Sequence, residues 1–174
     1  NVYDNPNDAS VALMLQNGKN KFLFTGDAGE DAEQDILETD IDLSADVYKA
    51  GHHGSSTSTS QDFFEAVSPS CAVISCGEDN SYGHPHAETL NTFRMNGVKV
   101  YRTDEDGTII ATSDGKEITF NVPASETWRS GEPNGNGSVW KAPDQKSETE
   151  KITYVLNTKT RKFHRTSCSS LPIA

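Results

Sequence analysis

Residues 46–60 read DVYKAGHHGSSTSTS. Asp46-Val47-Tyr48-Lys49-Ala50 has the length and the Val/Tyr content of a short strand. It stops at Gly51-His52-His53-Gly54, and a run of hydroxyl residues follows. The chain has five histidines, so two side by side on a glycine-bounded turn call for an explanation. Glycines on either side let the backbone take conformations closed to other residues, or approach a ligand closely.

Two further spots share this layout. Upstream, the apolar runs at 11–15 (VALML) and 21–25 (KFLFT) flank QNGKN and predict a β-hairpin. The second run ends at Gly26-Asp27. Downstream, CAVISC at 71–76 predicts a buried strand, with Cys71 and Cys76 as buried thiols. It leads to Ser81-Tyr82-Gly83-His84-Pro85-His86. In layered α/β folds, sites form at strand ends and in the loops after them.

Helices are expected between these strands. GDAGEDAEQDILET reads as a loop entering a helix with acidic residues in its first turn. SQDFFEAV at 60–67 reads as a helix capped by Ser60. HAETLNTFRMNG reads as an amphipathic helix with Leu90, Phe93 and Met95 near one side and Gly97 as its stop. VKVYRT, GTIIAT and KEITFNV predict a β-meander turned at Asp106-Gly107 and Asp114-Gly115. The fold class is α/β: a mixed sheet with helices on one face, ending in a β-meander.

Residues 1–122 carry this pattern. Residues 123–150 are rich in Pro, Gly, Ser and charge and predict a flexible linker, in which Trp128 and Trp140 are unusual. Residues 151–174 begin as a strand with a hairpin-like turn at Asn157-Thr158, too short for an independent domain.

The chemistry suggested by Asp27, His52, His53 and His84 is metal binding. Carboxylate oxygen with imidazole nitrogen suits Zn²⁺, and also Mn²⁺ or Fe²⁺. Each piece has a plainer reading: Asp27 as a turn former, the paired histidines as a surface loop, His84 and His86 as solvated rings on a rigid proline turn. A metal-free dyad, with Asp27 orienting His52 or His53, uses the same residues. Ser55 and Ser56 do not form a nucleophile elbow. No glycine-rich phosphate motif is present.

Composition narrows the choice. A net charge of −11 argues against binding nucleic acid through a basic surface. It leaves a phosphodiester substrate open, because a metal ion supplies positive charge locally. No apolar run approaches the ~18 residues of a membrane span. The apolar fraction of 33% is low for a compact globule, so part of the chain is expected to be poorly packed, or part of a domain to be absent. Cys71, Cys76 and Cys168 cannot all pair within one chain.

FLFTGD (22–27), DVYKAGHHGSSTSTS (46–60), AVISCGEDNSYGHPH (72–86) and VYRTDEDGTI (100–109), in this order, resemble the metallo-β-lactamase superfamily, and within it the ComEC-type domain of DNA-uptake proteins. The resemblance covers roughly residues 8–122. It implies a four-layer αββα sandwich holding two divalent metal ions, Zn in the first place and Mn as an alternative. It makes Asp27 the bridging ligand, one of His52 and His53 a ligand with the other lining the pocket, and His84 a ligand of the second ion. His86 is a weaker candidate. The implied activity is hydrolysis of a phosphodiester or related ester, DNA among the substrates, by metal-bound hydroxide.

One departure matters. The family's His-x-His-x-Asp-His-like run has no counterpart here and is expected before Asn1. The chain therefore reads as the C-terminal half of such a domain, with the N-terminal half as its missing partner, and catalysis by the isolated chain is not expected. The competing reading is a non-catalytic cell-envelope binding protein with an incomplete metal site. YVLNTKTRKFHRTSC (154–168) resembles the metal-binding segment of Ada-type repair proteins, cut short, with His164 and Cys168 spaced as a ligand pair on a helical turn. That tail favours an extracellular or cell-surface location and leaves a cytoplasmic one open.

Overall fold

The computed structural model describes residues 3–131 and the backbone of two strands, Tyr154–Asn157 and Lys162–Arg165. The expected hairpin is β1 (Leu13–Asn17) and β2 (Asn20–Phe24), turned at Gly18 with φ +57. α1 (Glu30–Leu37) leads to β3 (Val47–Lys49), α2 (Gln61–Val67) to β4 (Cys71–Ile74), and α3 (Ala87–Met95) to β5 (Lys99–Arg102). The sheet order is β1-β2-β3-β4-β5. β1 is antiparallel to β2, and the other three pairings are parallel.

Alternation along the strands divides the sheet into two unlike faces. Leu23, Tyr48, Ala72 and Val100 lie in register across β2–β5 and are buried. Phe63, Phe64 and Val67 from α2 and Leu90 and Phe93 from α3 join the same cluster, with Ile36 and Leu37 from α1 at its margin. Tyr48 anchors this core, its ring 6.1 Å from Phe63 and 6.5 Å from Phe93. All three helices therefore cover one face.

The opposite face is only partly covered. Its rows run Leu13–Phe24–Lys49–Val73–Tyr101 and Leu15–Phe22–Val47–Cys71–Lys99. Leu13, Leu15 and Phe24 are 57%, 52% and 39% exposed. A second, two-stranded sheet, β6 (Ala111–Ser113) with β7 (Ile118–Phe120), reaches this face: Phe120 stacks on Tyr101 with ring centres 3.7 Å apart. Asn17 Nδ2 donates to Ser113 O, which ties the same hairpin to the β1–β2 turn.

Several expectations change in detail. VKVYRT does not begin a meander: β5 extends the parallel sheet, and Thr103–Asp106 forms a one-turn helix, α4, ended by Gly107. Asp114-Gly115 does turn a hairpin, with Asp114 Oδ1 accepting the Lys116 and Glu117 N–H groups. Ser60 makes no side-chain cap on α2. The buried Glu33 of α1 instead holds the turn that precedes α2, its two oxygens accepting the N–H groups of Thr59 (2.6 Å) and Ser60 (2.8 Å). Met95 is 77% exposed, because it falls in the last turn beyond the reach of the core. Cys71 and Cys76 are free thiols of intermediate burial rather than fully buried.

Residues 123–131, at the start of the stretch read as a linker, lie against the domain. Ser125 N donates to Val100 O (2.7 Å), Arg102 Nη1 to Arg129 O (2.6 Å), and Trp128 packs on the core. Trp140 lies outside the described residues. In the tail, β8 (Tyr154–Asn157) pairs antiparallel with β9 (Lys162–Arg165). His164 is thus on a strand. Cys168 lies outside the described residues.

Candidate metal centre

Because β2, β3 and β4 run parallel, their C-terminal ends share one sheet edge, and the three glycine-bearing turns follow from it. Thr25-Gly26-Asp27 leaves β2, Gly51–Gly54 leaves β3, and Ser75–His86 leaves β4. Backbone bonds join them: His52 N donates to Gly26 O (3.0 Å) and His86 N to Gly54 O (2.9 Å).

His52 and His53 adopt left-handed backbone angles, φ 46 and φ 57. Few non-glycine residues do so, and such strain persists only where the surroundings hold it. The strained turn directs the two rings toward partners on the neighbouring loops. His53 Nδ1 lies 2.5 Å from Ser75 O. A carbonyl oxygen only accepts, so Nδ1 carries the proton and neutral His53 presents the lone pair of Nε2. That nitrogen lies 3.3 Å from Asp27 Oδ1. A lone pair facing a carboxylate is repulsive unless a cation stands between them, either a second proton on the ring or a metal ion. Two donors about 2.1 Å from a tetrahedral ion sit roughly 3.4 Å apart, which matches the separation found.

His84 is buried, not solvated. Asn80 grips its backbone twice, donating from Nδ2 to His84 O (2.6 Å) and accepting from His84 N at Oδ1 (3.0 Å). Its ring centre lies 5.7 Å from that of His52, 6.2 Å from His53, 4.9 Å from His86 and 5.7 Å from Tyr82. Burial, with the neighbouring His86, His52 and His53 adding to it, lowers its pKa to about 4. At neutral pH it offers an uncharged ring. His52 is held from two sides, by Asn7 Nδ2 at its Nε2 (3.4 Å) and by Thr57 Oγ1 at its Nδ1 (3.3 Å). A cleft of about 340 Å³ opens beside the cluster between His53, Ser75, Cys76, Asn80, Tyr82 and His84. A larger hollow of about 710 Å³ shares Gly77, Asn80 and His84 with it and extends over the 77–81 loop to Arg102, Asp104 and Ser130. Only the smaller one includes the Asp27-paired His53, so it is the one that bears on the chemistry.

The structure therefore brings Asp27, His52, His53 and His84 to one edge. Among the described residues, no three His, Cys, Asp or Glu side chains are grouped closely enough to hold an ion as they stand. Asp27 and His53 are in direct contact, and the His52 and His84 rings stand beside them. The donor types fit a divalent ion of the Zn or Mn class.

Several supporting residues give no signal in the sequence. Pro6–Ala9 forms a 3-10 turn that delivers Asn7 to His52, and Asp8 Oδ1 accepts the N–H of Gly29 at the head of α1 (2.7 Å). Ser10 Oγ accepts the N–H of Asp27 (3.1 Å). No periodicity or motif marks these positions. They are isolated polar residues that matter only through long-range contacts.

No family model matches the chain. It is 36% identical over 116 residues to ComE operon protein 3 of Bacillus subtilis, covering 67% of this chain and 15% of that protein. It is 38% identical over 104 residues to competence protein ComA of Neisseria gonorrhoeae, covering 59% and 15%. Recombination protein 2 of Haemophilus influenzae is 35% identical over 103 residues, covering 59% and 13%. The chain is similar to a segment of ComEC-type competence proteins. It spans about 15% of the length of the first ComEC-type relative. Among the described residues, no helix is long and apolar enough to cross a membrane.

Proposed function

We propose that this segment belongs to a metal-dependent hydrolase of the metallo-β-lactamase superfamily that cleaves a phosphodiester, with DNA as the substrate, during DNA uptake. The observation that carries the proposal is the Asp27–His53 pair, a carboxylate oxygen and a ring nitrogen 3.3 Å apart at the ends of adjacent parallel strands. The ComEC-type relatives support the DNA-uptake role.

When bound, two divalent ions, Zn or Mn, would supply Lewis acidity toward the phosphoryl oxygen and a nucleophile at neutral pH. The chain's own residues set the stage. Asp27 would bridge the ions, His52 or His53 would hold one of them, and His84 would complete the shell of the other. The Ser75 carbonyl fixes the tautomer of His53, and Asn80 fixes the backbone of His84. A hydrogen-bonded outer shell of this kind orients the ligands of metal sites.

The remaining ligands would come from the N-terminal half of the same αββα domain, seated on the face that carries Leu13, Leu15 and Phe24. That half would bury these exposed side chains, and without it the isolated chain would bind metal weakly and turn over poorly. We take the tail from 151 as an Ada-like module, and an extracellular or cell-surface location as the one that goes with this role. Cell fractionation tests the location.

Hydrolysis of a generic phosphodiester and of DNA by the full-length protein, with and without chelator, tests the activity. Turnover abolished by chelator and restored by Zn²⁺ or Mn²⁺ is expected. Turnover indifferent to chelator, or none with metal bound, would contradict the proposal.

A further inference from the structure

His86 sits two residues from His84 and its ring centre is 4.9 Å from it, so by type and position it is a natural fifth ligand. Its hydrogen bonds argue otherwise. The backbone N–H of Ser56 donates to His86 Nδ1 at 2.9 Å. A backbone amide can only donate, so Nδ1 bears the lone pair, and the proton lies on Nε2. That nitrogen is 3.0 Å from the carbonyl oxygen of Tyr82, which accepts it. Both ring nitrogens are committed, one on each of two loops. The Ser56 hydroxyl adds a contact to Nδ1 at 3.1 Å.

The backbone of the same residue does related work. His86 N donates to Gly54 O (2.9 Å), and His86 O accepts from Leu90 N (3.2 Å) in the first turn of α3, where His86 is the N-cap. Three residues on, Thr89 Oγ1 donates to Ser55 O (2.9 Å). One residue thus joins the start of a core helix, the turn that carries His52 and His53, and the loop that carries His84. Each of those loops is otherwise irregular.

We infer that His86 is a positioning residue and not a metal ligand: as the neutral Nε2–H tautomer, it clamps the His84 loop to the Gly54–Ser56 turn and so fixes the spacing of His52, His53 and His84. The clamp itself rests on the hydrogen bonds above. Its consequence for metal affinity rests on the function proposed in the preceding subsection.

The test uses the chain with ¹⁵N-labelled histidine. Imidazole nitrogen spectra should show His86 with its proton on Nε2, and these signals should keep that pattern when Zn²⁺ is added while those of other histidines move. His86→Ala should raise amide exchange at Ser56 and at Tyr82–His84 and weaken Zn²⁺ uptake about 10–100-fold, the range for losing an outer-shell partner. His86→Asn, whose Oδ1 can take over the Ser56 bond, should recover part of both, and it serves as the working variant if His86→Ala does not fold. A proton on Nδ1, or a His86 signal that shifts as a metal ligand does, would overturn the inference, as would variants with unchanged exchange at both loops. Should the wild-type protein take up no Zn²⁺ even with its N-terminal half present, the proposed function falls, while tautomer and exchange still decide the clamp.

Discussion

The Nε2 atom of His53 lies 3.3 Å from Oδ1 of Asp27, and the other nitrogen of that ring is held by the carbonyl of Ser75. These residues come from the ends of three adjacent strands, β2, β3 and β4. Their meeting depends on the parallel order of the sheet and on turns that reverse over the same edge. Four consequences follow for variants and chemistry, and each has its own readout.

His84 contributes an uncharged ring, because burial and its histidine neighbours depress its pKa to about 4. Replacement by Asn should weaken Zn²⁺ uptake at least tenfold, measured by calorimetry. Asn suits the test better than Ala, since His84 is buried and truncation would confound lost packing with a lost ligand. Equal affinity in the variant would remove His84 from the ligand set.

Gly54 has φ +80, and a Cβ there would lie 2.9 Å from Pro85 Cβ and 3.3 Å from Ile74 Cγ2. Neither neighbour is the free end of a flexible side chain. Gly54→Ala should therefore destabilise the fold by about 1–3 kcal/mol, the cost of a strained backbone residue. Urea unfolding would measure it, and a loss under 0.5 kcal/mol, no more than an ordinary surface change, would show that the turn relaxes.

Glu33 is fully buried, and desolvation raises its pKa above the ordinary 4.5 despite the N–H bonds from Thr59 and Ser60. For a carboxyl raised in the folded state, the stabilising contribution is full below the unfolded pKa and is lost as pH rises through the folded one. Stability of the wild type relative to Glu33→Gln should thus grow as the pH falls toward 4.5. Glu33→Ala strands both N–H groups and should cost about 1–3 kcal/mol at any pH in this window. A flat wild-type-minus-Gln difference across the titration would contradict the assignment.

The Cys76 thiol is pushed up to about 12, first by burial and then by the Asp104 carboxylate. At pH 8 its thiolate fraction is on the order of 10⁻⁴, so iodoacetamide should label it far more slowly in the folded chain than in urea. Rapid labelling of folded Cys76 would show a more open β4–α4 corner.

Much of this was legible in the residues themselves. The β1–β2 hairpin followed from paired apolar runs about Asn-Gly, and α1 from its acidic first turn. Asp27, His52, His53 and His84 were readable because each follows a strand and sits next to or near glycine. What was hidden depends on contacts across long sequence separations. Glu33 looks like one more acidic residue on a helix face, and only the fold carries it to the Thr59 and Ser60 N–H groups that precede α2. Ser60 has the right identity for a cap and the wrong surroundings. β5 and α4 look like part of a meander in sequence because a strand's own residues do not state whether its partner is parallel or antiparallel. Asn7, Ser10 and Asn80 support the His52, Asp27 and His84 turns through hydrogen bonds that no local pattern announces.

Zinc titration of the ¹⁵N-histidine-labelled protein with its N-terminal half present tests the central claim most directly. The account predicts that Nε2 of His53 and a ring nitrogen of His84 shift together, with saturation, and that Asp27→Asn abolishes the paired response. Shifts confined to His164, or no coupled change at His53 and His84 at saturating Zn²⁺, would contradict it.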